Sequence, residues 1–277
     1  MIRFEKNYIL KVFVVTLLIL GGKTVFSQQK IQDFYLSNYK EDGGREWEVK
    51  GKEAVVSQKY VDIDKMEGTY FQSDDKIDVK ADKARLDKDS MDVHLEDNVK
   101  VNNEKGVTLN TEVLDWQKNT NTITTDRDVE VIKEDSLEIK AKGMDANTEL
   151  KKVNFQREVR ANVIENNDVV KIDCDGPLEI EYTQGQAIFY NNVVVDNIRG
   201  KMFSQKATVF FNSEENRIIK IIAEGDVKII RDDNVTFAER AIYLEANKKV
   251  TLEGRPRLVI FPDRKSSLDA TLSGSPQ

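Results

Sequence analysis

The sequence predicts an almost entirely β fold, and two patterns support this prediction. The first is alternation: from about Trp47 onward, apolar and polar residues alternate in short runs such as Val99-Lys-Val101 and Leu178-Glu-Ile180. A period of two places neighbouring side chains on opposite faces of a strand, one set in a core and the other in water. Helical spacing is not sustained after the N-terminal segment, and Ile31–Tyr39 is the one stretch where it could hold.

The second pattern is the punctuation between these runs by residues that favour turns. Clusters of Asn, Asp, Glu and Gly indicate chain reversals or corners. They end at Asn98, Gly106, Asn121, Asp168, Asn197, Asn216, Asn234 and Pro256. The segments between them are short and lack a helical pattern, which argues against βαβ units. An antiparallel or solenoidal β fold is therefore expected.

A weak internal repeat accompanies the alternation. An acidic residue or Asn precedes a strand that starts with valine, in steps of 30, 30, 34 and 34 residues, at Val99, Val129, Val159, Val193 and Val227. A repeated supersecondary unit stacks on its neighbours and extends one continuous core. Any meander of short strands could yield a similar period, so the repeat by itself does not choose between the two architectures.

The first 27 residues have the pattern of an export signal. Arg3, Lys6 and Lys11 precede an apolar run, Val12–Gly22, which only Thr16 interrupts. This arrangement is typical of a signal peptide. The run is shorter than the roughly 20 apolar residues that a membrane-spanning helix needs. We predict a cleaved signal peptide, with a short inner-membrane anchor as the alternative, and therefore a periplasmic location.

The charge of the chain argues against nucleic acid as a partner. The net charge is −7 over 277 residues, and removing residues 1–27, which contain four basic side chains and one acidic one, changes it to −10. Basic stretches interleaved with aromatic residues are not found. Phosphate binding requires a concentrated positive face, so we expect no nucleic-acid interface.

The sequence offers little support for a catalytic or metal site. It contains one histidine, His94, and one cysteine, Cys174, far apart in the chain. Zinc clusters and catalytic triads therefore lack a supporting spacing. Asp173 and Asp175 could form a carboxylate pair of the glycosidase type, which would require a cleft and a raised pKa. With 49 acidic residues such pairs are expected by chance. We expect no enzyme, no cofactor and no metal.

Binding along a β-surface is the favoured interpretation. A curved sheet with one apolar face can hold a long apolar ligand if its interior is not filled, and each buried methylene contributes about 0.8 kcal/mol. The alternative is an exported structural or adhesion β-solenoid without a lipid cavity. Strand direction separates the two, because a solenoid is built from parallel strands.

Several segments resemble the periplasmic proteins of lipopolysaccharide transport. Trp47–Ala54 and Ile77–Ala84 resemble the start of the periplasmic domain of LptC. Ile221–Ile229, containing Ala-Glu-Gly-Asp-Val, and Val250–Pro256, containing Leu-Glu-Gly-Arg-Pro, resemble LptA and the OstA-like domain. The resemblance implies an elongated antiparallel β-jellyroll, or β-taco, built from two stacked repeats of short strands. In that family the apolar interior binds the acyl chains of lipopolysaccharide, and domains join head to tail by edge-strand pairing.

The resemblance also implies an organisation and partners. We expect an LptC-like jellyroll over residues 28–165, an LptA/OstA-like jellyroll over 166–262 and a flexible tail over 263–277. The implied partners are lipopolysaccharide, an inner-membrane ABC transporter complex, an outer-membrane assembly protein and further copies of the chain. Two LPS-transport regions in one chain suggest a fusion that does both jobs.

Alternation and the resemblance together give candidate site residues. The predicted groove lining is apolar and comprises Val129, Val131, Val193, Val195, Phe211, Ile221, Ala223, Val227, Ile229 and Phe237. The predicted assembly edge comprises Val250, Leu252, Leu258 and Phe261. A slip of one residue in strand register would move each of these side chains to the opposite face.

Overall fold

A computed structural model describes residues 29–40, 42–71, 75–134, 136–165, 168–212, 217–232 and 234–260. Within these ranges the chain forms one sheet of seventeen strands and one short 3-10 helix, Glu245–Asn247, with no α-helix. The all-β prediction is confirmed. The strands are β1 (Gln29–Tyr39), β2 (Arg45–Val56), β3 (Tyr60–Phe71), β4 (Lys76–Asp87), β5 (Val93–Asn103), β6 (Val107–Gln117), β7 (Thr122–Lys133), β8 (Leu137–Asn147), β9 (Lys152–Glu165), β10 (Asp168–Cys174), β11 (Leu178–Glu181), β12 (Gln186–Asn197), β13 (Gly200–Asn212), β14 (Arg217–Arg231), β15 (Asn234–Leu244), β16 (Lys249–Glu253) and β17 (Arg257–Val259).

Two predicted segments lie outside this description. The signal peptide or anchor, residues 1–27, and the flexible tail, residues 263–277, remain predictions. Ile31–Tyr39, where helical spacing was considered, lies in β1 and pairs with β2. Backbone pairing along the sheet therefore decides the conformation of this ambiguous apolar stretch.

The strands follow one another as an antiparallel meander. Each of β1 to β8 pairs with the next strand, and all pairings between described strands are antiparallel. β10 and β11 lie end to end in one row between β9 and β12. β16 and β17 likewise share the row beside β15. The seventeen strands thus occupy fifteen rows, and β1 and β16–β17 form the two free edges.

Most of the strands are longer than the predicted short runs, because a corner can lie inside a strand. Of the predicted turn clusters, those ending at Gly106, Asn121 and Asn197 are reversals between strands, whereas the one ending at Asn98 is a corner within β5. In β5 the residues Asp97 and Asn98 have positive φ values of 63° and 53°. The pairing register shifts on both sides of this point, which is the signature of a β-bulge. A bulge bends its strand sharply. Each such strand therefore contributes two arms joined by a corner.

The corners of neighbouring strands lie side by side and fold the sheet into two leaves. Asn191 and Asn192 in β12 lie opposite Gln205 in β13, where the register shifts. The pairing register shifts again between β13 and β14 and between β14 and β15, and these shifts place the corner of β14 at Gly225 and Asp226. We call the leaf that carries the repeated valines the Val leaf, and the leaf that carries Phe155 and Phe189 the Phe leaf. One core cluster contains buried residues of both leaves, so the leaves pack on each other.

The internal repeat has a simple structural meaning. The five repeated valines are at most 2% exposed, and each is the first residue after the corner on the Val leaf. They lie on β5, β7, β9, β12 and β14, which are alternate rows of the sheet. A step of 30 residues therefore corresponds to one strand out and one strand back. The repeat belongs to a meander, and antiparallel pairing argues against the solenoid alternative.

Two rows of inward-facing residues run the whole length of the sheet. On each leaf they are the next inward-facing residues beyond those beside the corner, as Val101 follows Val99. We call them the inner ladders. On the Val leaf the paired positions are Leu36, Val49, Gly68, Val79, Val101, Leu109, Val131, Ile139, Ala161, Ile172, Val195, Met202, Ile229, Thr236 and Leu258. On the Phe leaf they are Gln29, Val56, Val61, Leu86, Val93, Trp116, Ile123, Ala146, Val153, Ile180, Ala187, Val209, Ile221, Tyr243 and Val250. All but Gln29 at the edge and Thr236 are apolar, Gly68 or tyrosine, so from β2 onward the interior presents a nearly continuous apolar surface.

Candidate functional site: an apolar cleft between the leaves

The candidate site is a cleft between the two leaves at the C-terminal end of the sheet, with a volume of about 690 Å³. This is within the 300–1,000 Å³ that typical ligand pockets occupy. Its walls are apolar side chains of both inner ladders, because alternation turns these residues inward. The wall residues are Val195, Met202, Ile229 and Leu258 on the Val leaf, and Ile221, Tyr243 and Val250 on the Phe leaf.

Polar and charged groups surround the mouth of the cleft. Arg199 and Arg231 lie in neighbouring hairpins on the rim of the Val leaf, where Arg231 Nε donates a hydrogen bond to the carbonyl oxygen of Arg199 at 3.3 Å. Glu245 and Lys248 form an ion pair on the rim of the Phe leaf. An apolar interior under a polar rim suits an amphiphile whose chains enter the cleft and whose head group stays in water.

A second cavity, of about 710 Å³, lies beside the corner and differs in chemistry. Its lining includes Lys140 and Lys142 together with Glu130 and Glu158. These groups are already paired, with Lys140 Nζ 3.1 Å from Glu130 Oε1 and Lys142 Nζ 2.9 Å from Glu158 Oε1. Although it is slightly larger, its charged lining does not suit an apolar ligand.

The structure distributes the predicted groove residues over three environments. Val195, Ile221 and Ile229 line the cleft. Val131 and Phe211 are partly buried and pack against the core. The remaining inward residues are fully buried next to the corner, namely Val129, Val193, Ala223 and Val227.

Phe237 is a correction, because it lies on the outer face. The hairpin between β14 and β15 pairs Phe237 with Lys228, while Thr236 and Ala238 pair with the inward Ile229 and Val227. The guanidinium of Arg257 stacks over the Phe237 ring, with Cζ 4.9 Å from the ring centroid. The register of one hairpin therefore decides this face, and local hydrophobicity does not reveal it.

Sequence reasoning missed Met202 and Tyr243 as cleft residues. Met202 pairs with Val195 across the β12–β13 hairpin, and Tyr243 pairs with Ile221. Alternation around Gly200–Ser204 contained the signal for Met202. Tyr243 could have been found only from the pairing between β14 and β15.

The predicted assembly edge is exposed where it is described. Val250 and Leu258 are about half exposed, and Leu252 is partly buried beside Ala241. Phe261 lies outside the described residues. Free backbone N–H and C=O groups of an edge strand can pair with another strand.

The candidate carboxylate pair lies away from the cleft. We call the row that β10 and β11 form between β9 and β12 the joint. Asp173 and Asp175 are exposed on its outer face, and Asp175 Oδ2 accepts a hydrogen bond of 2.6 Å from Asn192 Nδ2. Glu67 and Glu138 have lowered pKa values, because Lys50 and Lys140 respectively donate to them. The lowered pKa values of Glu67 and Glu138 are opposite in direction to the raised pKa that a glycosidase acid requires.

His94 forms an ion-paired cluster on the outer face. Its Nδ1 lies 2.6 Å from Asp115 Oδ1 and its Nε2 lies 2.9 Å from Glu96 Oε1. The hydrogen bond to Asp115, followed by that to Glu96, raises the pKa of His94. A raised pKa stabilises the folded state below the unfolded value of about 6.5, and this contribution is lost as pH rises through the folded pKa.

We therefore expect His94→Gln to lower the free energy of unfolding mainly in mild acid. The difference in unfolding free energy between the two proteins should be larger at about pH 5.5 than at about pH 9. Urea unfolding at both pH values measures it, and Asn110→Gln, outside the cluster, serves as control. An equal difference at both pH values would contradict the ion-pair account.

Cys174 is a buried apolar residue of the joint. Desolvation is the main cause that raises the pKa of its thiol to about 11. The thiolate is the reactive form. We expect maleimide to label Cys174 at least about tenfold more slowly in the folded chain than in urea at pH 8. Equal labelling rates would show that the joint is open to solvent.

Two family models match the chain and divide it between them. Residues 28–165 match the family described as lipopolysaccharide-assembly, LptC-related. Residues 171–272 match the family described as LptA/(LptD N-terminal domain) LPS transport protein. A search of curated proteins finds no match. Among the described residues, none lies in a helix long and apolar enough to cross a membrane. The chain therefore belongs to the lipopolysaccharide-transport proteins, with an LptC-related region followed in the same polypeptide by a region of the LptA/LptD N-terminal type.

Proposed function

We propose that the protein binds lipopolysaccharide through its lipid A acyl chains in the apolar cleft and passes it across the periplasm as part of a protein bridge. The observation that carries this proposal is the pair of inner ladders, which run from β2 to the C-terminal cleft with Thr236 as their one polar residue. Lipid transport needs such a continuous apolar path. The family matches to both halves support the same role.

The energetics favour an acylated ligand. Each methylene moved from water into the interior contributes about 0.8 kcal/mol, so a lipid with several acyl chains gains on the order of tens of kcal/mol before ordering costs. The charged rim, with Arg199 and Arg231 on one side, leaves the head group in water. Movement along the ladders is passive in this proposal. The energy comes from a separate inner-membrane ABC transporter.

Photo-crosslinking in the native cell tests the proposal. A crosslinking amino acid replaces Val195 or Ile229, which line the cleft, or Lys228 as control. Lys228 is the closest matched control because it neighbours Ile229 but pairs with Phe237 on the outer face. We expect lipopolysaccharide adducts at positions 195 and 229 and none at 228. Folded protein without adducts at any of the three positions would overturn the proposal.

We further propose that the free edges join copies head to tail. In this arrangement β16–β17 of one copy pairs with β1 of the next, as unprotected edge strands can. In a Cys174→Ala background, Thr251→Cys chains mixed with Gln32→Cys chains should yield a dimer with a short bis-maleimide. Thr251→Cys mixed with Lys140→Cys, in the central strand β8, is the control and should not. Equal yields in the two mixtures would contradict edge pairing.

A further inference from the structure

The residues of the inner ladders are fully buried in the middle of the sheet and only partly buried towards both ends. On the Val-leaf ladder Ile172 is 1% exposed, and on the Phe-leaf ladder Ile180 is 7% exposed. Towards the N terminus, Leu109 of the same ladders is only partly buried. Towards the C terminus, Met202 and Ile229 are partly buried and line the cleft. The row of β10 and β11 is therefore buried on both leaves, as is the neighbouring row of β12 with Val195 and Ala187. The adjacent rows of β9 and β13 are fully buried on one leaf only, since Val153 and Met202 are partly buried. We call the two rows that are buried on both leaves the closed segment.

Large side chains fill the space beneath this closed segment. Next to the corner on the Phe leaf, four bulky residues of successive rows pair with one another and are at most 4% exposed; they are Met144, Phe155, Leu178 and Phe189. The rows that follow towards the cleft carry only Ala207, Ala223 and Ala241 at the equivalent position. The change from bulky to small residues marks the C-terminal limit of the filled segment.

A filled interior of this kind excludes an acyl chain. Protein cores are packed about as densely as organic crystals and hold few voids larger than a water molecule. A chain that passes between Ile172 and Ile180 must therefore separate the two leaves. The closed segment also contains the boundary between the two family-matched regions, at residues 165 and 171.

The row formed by β10 and β11 is paired with the strands on both of its sides. β9 pairs with β10 over Asp168–Cys174 and with β11 over Leu178–Glu181. β12 pairs with Lys171–Asp173 and with Leu178–Glu181. Between these ranges, the backbone N–H groups of Asp175 and Gly176 donate to the carbonyl oxygens of Asn191 and Tyr190. The backbone therefore holds Ile172 and Ile180 in fixed positions within one row.

We propose that the joint is a hydrophobic constriction that divides the interior into two acyl-chain compartments, and that Ile172 and Ile180 control passage between them. The proposal rests on the proposed function. One compartment lies along the LptC-related strands, and the other is the C-terminal cleft. Lipid moves from the first to the second only when the leaves part at the joint, so the side-chain volume at these two positions sets the rate of transfer.

The test compares lipid occupancy on the two sides of the constriction. Full-length chains carry a photo-crosslinker at Leu109 or at Ile229 in cells with active lipopolysaccharide export, and the ratio of adducts at 229 to adducts at 109 is measured. Ile172→Ala and Ile180→Ala should raise this ratio by roughly threefold or more, because a lower barrier speeds transfer. Ile172→Val removes less side-chain volume and disturbs folding less. It should raise the adduct ratio by a smaller factor than Ile172→Ala.

Leu95→Ala is the matched control, because Leu95 is 4% exposed but lies on β5, outside the closed segment. It should leave the ratio unchanged. Adducts at both probe positions, with the same ratio in Ile172→Ala as in Leu95→Ala, would overturn the constriction and leave the proposed function intact. Lack of adducts at both positions in the otherwise unaltered chain would overturn both proposals.

Discussion

Replacing Phe155 by Ala is expected to lower the free energy of unfolding by about 3–5 kcal/mol, the range for truncating a buried phenylalanine. Phe155 is 2% exposed and lies in β9 between Met144 of β8 and Leu178 of β11. The cavity that its removal leaves lies in the core between the two leaves, beside the boundary between the two family-matched regions. Urea unfolding followed by far-ultraviolet circular dichroism measures the loss.

Phe237→Ala is the control for this prediction. Phe237 lies on the outer face against Arg257 and is only partly buried. Its truncation therefore removes a cation–π contact, worth about 0.5–1 kcal/mol, and a smaller apolar contact than that of Phe155. Equal losses in the two variants would show that the interior at Phe155 is not a packed core. That result would also remove the structural basis of the constriction.

The second large effect is expected for Gly176→Ala, at the corner between β10 and β11. Gly176 has a φ of +100°, and an added Cβ would lie 2.4 Å from the carbonyl oxygen of Gln156 and 2.9 Å from Cα of Arg157. Both are backbone atoms of β9, which cannot move aside without disturbing the sheet. The backbone strain alone is of order 1–3 kcal/mol, and the steric overlap adds to it.

Gly106→Ala separates these two causes. Gly106 also has a positive φ, of +77°, but an added Cβ there would have its nearest neighbour at 3.9 Å. The substitution should therefore cost only the conformational strain, about 1 kcal/mol. If Gly176→Ala proves no more harmful than Gly106→Ala, the close approach of β9 and the corner is wrong. Thermal unfolding of both variants decides between these outcomes.

The sheet continues without a break from the LptC-related region into the region of the LptA/LptD N-terminal type. The last strand of the LptC-related region, β9, pairs with both β10 and β11, the first strands of the following region. Two separate chains would have to pair their edge strands to form this contact. Here the same contact is ordinary antiparallel strand pairing within one chain. Among the described strands the free edges that remain are β1 and β16–β17, so strand pairing with a further chain would use one of them.

The sequence by itself determined the β class and, through the resemblance, the identity of the family, while the strand pairings chose the meander over the solenoid. Alternation was sufficient for the β class because each strand has one dry and one wet face. The repeated valines, Val99 to Val227, proved to be the first buried residues after each corner. The resemblance to LptC and to LptA was confirmed over both halves. These features are local, since each depends on a few neighbouring residues.

The tertiary structure alone decided which features of the interior are open or closed. Hairpin register couples residues of different strands. It decides that Phe237 faces outward and that Met202 and Tyr243 line the cleft. The closed segment at Ile172 depends on two leaves meeting across the interior, where side chains distant in sequence fill one volume. Packing of this kind is a property of the folded sheet as a whole. The sequence therefore predicts an apolar path, and only the tertiary structure shows where that path narrows.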